Sequence, residues 1–81
     1  MRVDKFLKVS RILKRRTLAR EAAEGGRVKV NGKTIKPSYS LKEGDLVELG
    51  FNSGTLKFRV LTLKDFVKKE DAENLYEIIE E

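Results

Sequence analysis

The stretch Arg2-Val-Asp-Lys-Phe-Leu-Lys-Val-Ser-Arg-Ile-Leu-Lys-Arg-Arg16 constrains this chain more than any other. At about 100° per residue, Val3, Phe6, Leu7 and Leu13 share one arc of a helix, whereas Lys5, Lys8, Arg11 and Arg15 lie on the opposite side. Such a helix docks on a small core and keeps a basic face in solvent. Positions 1 to 20 hold eight basic residues and one acid, Asp4. Any single Lys or Arg is exposed in most folds, but a solvated face ordinarily mixes both signs to limit self-repulsion. A face of one sign points to an anionic partner.

Size and composition narrow the function classes. A chain of 81 residues buries only about 60 to 65% of its unfolded surface, which leaves little room for an enclosed catalytic pocket. The net charge is +5, divided unevenly: residues 1–42 carry 13 basic and 3 acidic side chains, residues 43–81 carry 5 and 10. With no cysteine and no histidine, disulfides, thiolate chemistry and nearly every zinc site or triad are excluded. No catalytic set, metal site or cofactor is expected. The N-terminus is charged from its second residue and lacks an apolar run of signal or membrane-spanning length, so a soluble cytoplasmic protein is expected.

Periodicity predicts the elements. A first helix covers residues 3–13 with Asp4 in its first turn, where a carboxylate suits the macrodipole. A second runs from Arg16 or Thr17 to Glu24, capped by Thr17 or a neighbour, with Leu18, Ala19, Ala22 and Ala23 inward and Gly25-Gly26 as its stop. Val28 and Val30 then alternate with basic residues, and Asn31-Gly32 is the favoured pair for a type I′ hairpin turn returning through Lys33 to Lys36. Leu41 tucks into the core before a turn at Glu43-Gly44-Asp45. Val47, Leu49 and Phe51 predict a third strand; Leu56, Phe58 and Val60 predict a fourth after Asn52-Ser53-Gly54. Ala72, Leu75, Tyr76 and Ile79 at helical spacing predict a third, acidic helix within residues 68–81. The fold class is α+β, two helices leading a small, mainly antiparallel sheet with a C-terminal helix.

Arg15-Arg16-Thr17 at the start of the second helix combine unpaired backbone N–H groups, a hydroxyl and two guanidinium forks, a phosphate site in chemical terms; the alternative is a plain connecting turn. Lys5, Lys8 and Arg11 extend that site along the first helix and Arg20 along the second, while Lys29, Lys33 and Lys36 offer a hairpin wall. This spacing tracks a nucleic-acid backbone without reading sequence. Phe6, Phe51 and Phe58 are assigned to the core, Phe66 and Tyr76 to the junction with the third helix, and Tyr39 is the one aromatic considered for a base or ribose contact. Asp4, besides starting the helix, is a candidate holder of Arg2 or Arg16.

Arg2-Val3-Asp4-Lys5-Phe6-Leu7, Arg16-Thr17-Leu18-Ala19, Gly26-Arg27-Val28-Lys29-Val30-Asn31-Gly32, Lys36-Pro37-Ser38 and Gly44-Asp45, in this order and spacing, resemble the αL RNA-binding domain named after the small-subunit ribosomal protein S-four. The resemblance implies that both helices and the hairpin form an RNA-binding surface, with contacts from Arg2, Lys5, Lys8, Arg11, Arg15, Arg16, Thr17 and Arg20. The family's usual serine before the second-helix arginine is Arg15 here, which adds positive charge and leaves the identity of the cap open. One domain over 1–81 is expected: an αL core over 1–50, then the last strand and acidic helix over 51–81.

Among stand-alone members, the run from Val9 to Glu21 and the ending Lys68-Lys69-Glu70-Asp71-Ala72-Glu73-Asn74-Leu75-Tyr76 resemble the RqcP family, related to the heat-shock ribosome-binding proteins. That resemblance implies a non-enzymatic monomer that binds the 23S-type rRNA of an obstructed large ribosomal subunit and its P-site tRNA. It would steady peptidyl-tRNA while RqcH brings alanyl-tRNA for C-terminal alanine tailing. A ribosome-assembly or heat-shock rRNA-binding factor would use the same face. A protein lying on anionic membrane is the rival of another class, disfavoured because the core needs the apolar side of the first helix.

Overall fold

In the computed structural model, which describes residues 1–80, the elements in chain order are α1 (Val3–Val9), α2 (Arg16–Glu24), β1 (Val28–Val30), β2 (Lys33–Thr34), β3 (Leu46–Phe51), β4 (Gly54–Val60), a 3-10 helix (Lys69–Leu75) and β5 (Tyr76–Ile78). The five strands form one antiparallel sheet in the order β2-β1-β3-β4-β5. Val28, Val30, Val47, Leu49, Phe58 and Val60 alternate onto its inner face. There they join Val3, Phe6 and Leu7 of α1 and Ala19, Ala22 and Ala23 of α2 in one core. The three alanines let α2 lie close against α1. Phe6 stacks on Phe58 at 6.1 Å between ring centroids, and Tyr76 meets Phe58 edge-on at 5.5 Å, geometries that aromatic quadrupoles favour.

The helix pair is tied to the sheet by loop carbonyls. Pro37 and Tyr39 accept from the N–H groups of Asp4 and Val3, satisfying donors that the start of α1 leaves unpaired. Asn31 (φ 51°) and Gly32 (φ 84°) form the two-residue hairpin turn between β1 and β2. The Asn31 side chain also donates to Asp45 Oδ1 at 3.1 Å and accepts from Leu46 N at 3.0 Å, fastening the hairpin to the 43–45 turn.

Several boundaries differ from the sequence reading. Helix α1 stops at Val9 rather than residue 13, because Arg11 takes a left-handed conformation (φ 61°) and turns the chain so that Leu13 N donates back to Leu7 O at 3.0 Å. Buried Ser10 closes that end, its hydroxyl donating to Leu7 O. Thr17 lies inside α2 rather than at its cap; its neighbour Arg15 is the N-cap, in extended conformation and without a side-chain cap bond. Strand β2 is two residues long rather than running to Lys36. Leu18 and Phe51, read as inward, are 43% and 41% exposed.

The C-terminal helix is present as a 3-10 helix. Its repeat of three brings Ala72 and Leu75 onto the same buried side. Residues 76–78, expected to continue the helix, instead form β5 and pair with β4, where Tyr76 opposes Val60 and Ile78 opposes Phe58. Spacing at 72, 75, 76 and 79 fits a helix, but 72 and 75 fit a period of three equally well, and Tyr76 and Ile78 fit a period of two. Glu81, within the expected helix, lies outside the described residues.

Candidate nucleic-acid interface

The candidate face is built around one buried carboxylate. Asp4, fully shielded from solvent, accepts Arg2 through Nε–Oδ1 at 3.2 Å and Nη2–Oδ2 at 3.1 Å, and Arg16 through Nη2–Oδ1 at 3.3 Å. Burial alone would raise this carboxyl; hydrogen bonds from Arg2 and Arg16, with their charges, outweigh it and hold it below the ordinary 3.8. Both arginine side chains stay about half exposed. Asp4 therefore spends its charge in fixing two arginines at the junction of α1 and α2, and each keeps donors turned to solvent. The start-of-helix acid is thus a positioning group for both candidate partners.

Arg15 and Thr17, both exposed, flank Arg16 at the start of α2, where no acid stands in the first turn. Arg20 follows Arg16 by one turn on the same side. Lys8 ends α1, and Arg11 stands exposed on the left-handed turn beyond it. Lys5 is placed differently: its Nζ sits 3.0 Å from Asp65 Oδ1, so part of its charge is spent within the molecule. Arg2, Arg15, Arg16, Thr17 and Arg20 gather at the α1–α2 junction, and Lys8 and Arg11 extend from the far end of α1.

The hairpin lysines do not form one wall. Lys29 alternates with buried Val28 and Val30 and lies opposite Glu48 in the register, which puts it on the sheet face turned away from the helices. Lys33 pairs with Val30, on the helix side of the edge strand. Lys36 borders a groove with Ala23, Glu24, Gly26 and Pro37, at the end of α2 away from Arg16. Tyr39 is 37% exposed and its carbonyl receives Val3 N, next to the Arg2–Asp4 pair in the chain.

Phe66, assigned from sequence to a packed junction, is 83% exposed. It borders a shallow hollow with Lys8, Val9 and Arg11, and the preceding residue, Asp65, pairs with Lys5. No local sequence signal joins positions sixty apart. Among the described residues, no His, Cys, Asp and Glu group could hold a metal ion, and no helix is long and apolar enough to cross a membrane. Val3, Phe6 and Leu7 are fully buried, which removes the apolar face that a membrane-lying α1 would need.

Residues 1–47 match the family model of the S4 domain, an RNA-binding family. The chain belongs to the S4-domain family. It is 57% identical to the RQC P-site tRNA stabilizing factor of Streptococcus pneumoniae, across all of this chain and 92% of the relative. The Bacillus subtilis protein of the same name is 49% identical, across all of this chain and 94% of that one. Vibrio cholerae heat shock protein 15, whose structure is described as trimeric, superposes with a TM-score of 0.90 at 32% identity over 98% of this chain and 81% of that one. The S4-domain match takes in both helices, the hairpin and the start of β3. The connector after β4, the 3-10 helix and β5 lie beyond it.

Proposed function

We propose that this S4-domain protein binds the 23S-type rRNA of an obstructed large ribosomal subunit and its P-site tRNA, and steadies the peptidyl-tRNA while RqcH directs C-terminal alanine tailing. The observation that carries the reading is the Asp4-centred pair of arginines beside the uncapped start of α2. Two guanidinium groups in fixed orientation suit a phosphate backbone, since each keeps N–H donors not engaged by Asp4 and the helix start adds backbone donors. Arg15, Thr17, Arg20, Lys8 and Arg11 lengthen that contact, and Lys33 and Lys36 add to its edge. Contacts of this kind fix position and register on RNA without reading bases. The protein acts as one copy in the cytoplasm and makes or breaks no bond; its work is binding energy placed on a tRNA that would otherwise drift.

The full-length likeness to proteins named RQC P-site tRNA stabilizing factor supports this reading. A reconstituted tailing reaction tests it, using large subunits with P-site peptidyl-tRNA, RqcH and charged alanyl-tRNA. Addition of the protein should lengthen the alanine tails, and the double variant Arg15→Ala, Arg16→Ala should fail to. Tails of equal length with and without the protein would overturn the proposal.

A further inference from the structure

We propose that the connector between β4 and the 3-10 helix is a second RNA contact, in which an unpaired base stacks on Phe66 and Lys64 and Lys68 hold the flanking phosphates. The inference rests on the RNA-binding reading above and extends it to a segment beyond residues 1–47. Of the large apolar side chains exposed among the described residues, Phe66 is the most exposed, at 83%. The Lys5–Asp65 ion pair, 3.0 Å long, links Asp65, the residue before Phe66, to α1. Phe66 therefore stands between two hollows. One of about 120 Å3 is bordered by Lys8, Val9 and Arg11; the other, of about 450 Å3, by Lys64, Lys68 and Asn74.

Charge decides the occupant. Four cations, Lys8, Arg11, Lys64 and Lys68, border the two hollows that Phe66 also lines. Of the two acids bordering these hollows, Asp65 is engaged by Lys5, leaving Asp71. An apolar anchor for a protein partner is normally set among residues depleted in lysine. An aromatic face framed by cations is instead what a single-stranded segment needs, because the base stacks while its phosphates are neutralised. Asn74, in the wider hollow, offers an amide to a base edge.

The test is the affinity of wild type, Phe66→Ala, Phe66→Leu and Phe66→Trp for purified large ribosomal subunits carrying P-site tRNA. At 83% exposure the side chain supports no core, so all four fold. Loss of stacking should weaken the Ala and Leu variants by about 5- to 150-fold, while Trp stays within about twofold because it keeps a π face. Wild-type affinity in the Ala variant, with wild type itself bound, would overturn this inference alone. So would a Leu variant as tight as wild type beside a weakened Ala variant, which would reveal an apolar contact with a ribosomal protein. A wild type that does not bind would overturn the RNA reading and this inference together.

Discussion

Arg16 reaches back twelve positions to place its Nη2 3.3 Å from Asp4 Oδ1, on a carboxylate that Arg2 already grips from the other side. The pair locks α2 to α1 and aims a half-exposed side chain outward in the same geometry. Arg16→Ala should weaken large-subunit binding by about 1 to 3 kcal/mol through lost charge-assisted bonds. It should lower stability by about 1 kcal/mol, because the buried carboxylate loses one partner but keeps Arg2. Equilibrium binding together with urea unfolding separates the two effects.

Removing the carboxylate acts in the opposite proportion. Asp4 is fully buried, so Asp4→Asn breaks its charge-assisted bonds and should cost about 1 to 3 kcal/mol of folding stability. Thermal or urea unfolding reads this directly, and a loss below the error of the measurement would contradict the positioning role.

The same group sets a pH dependence. Arg2 and Arg16 depress the folded carboxyl below its ordinary 3.8, so the unfolded chain binds the proton more readily. The stabilisation is complete above that ordinary value and is lost as pH falls below it through the folded pKa. The stability gap between wild type and Asp4→Asn should hold steady between about pH 5 and pH 7 and close as pH drops below 3.8.

Arg11 holds φ 61° without being glycine, a conformation that costs a side-chain-bearing residue about 1 to 2 kcal/mol. Arg11→Gly relieves that strain but gives the unfolded chain more freedom, worth roughly 0.5 to 1 kcal/mol in the other direction. Stability should therefore stay level or rise by up to about 1 kcal/mol, while subunit affinity falls and the salt slope shrinks by about one phosphate's worth. Unchanged affinity would remove Arg11 from the interface.

The C-terminal segment also completes the core and the sheet. Leu75 is 1% exposed, and the β5 that follows it completes the sheet. Leu75→Ala should cost about 2 to 5 kcal/mol, and deletion of residues 70–81 should cost more, since it also strips β5 from β4. Denaturant midpoints check both.

The legible parts of this molecule were those written over a few neighbouring residues. Asn31-Gly32 specified its turn because only residues tolerant of positive φ fit there, and the alternation of Val28, Val30, Val47 and Leu49 named the inner face of the sheet. The one-signed charge of the first twenty residues pointed to the candidate face. The end of α1 was hidden because an arginine, rather than glycine, adopts the left-handed turn. Phe51 was assigned to the core from its place in an alternating run and Phe66 to the junction with the third helix, although a ring can be left in water where the chain bends away from the core. The Lys5–Asp65 tie and the burial of Asp4 depend on tertiary placement, which no local pattern encodes.

The most direct measurement is binding of the protein to purified large ribosomal subunits, with and without P-site peptidyl-tRNA, across a salt series. Binding should be tighter to subunits that carry the tRNA. The logarithm of the affinity should fall linearly with the logarithm of salt concentration, at a slope corresponding to several neutralised phosphates. Equal affinity for both kinds of subunit, or binding indifferent to salt, would contradict the proposed function.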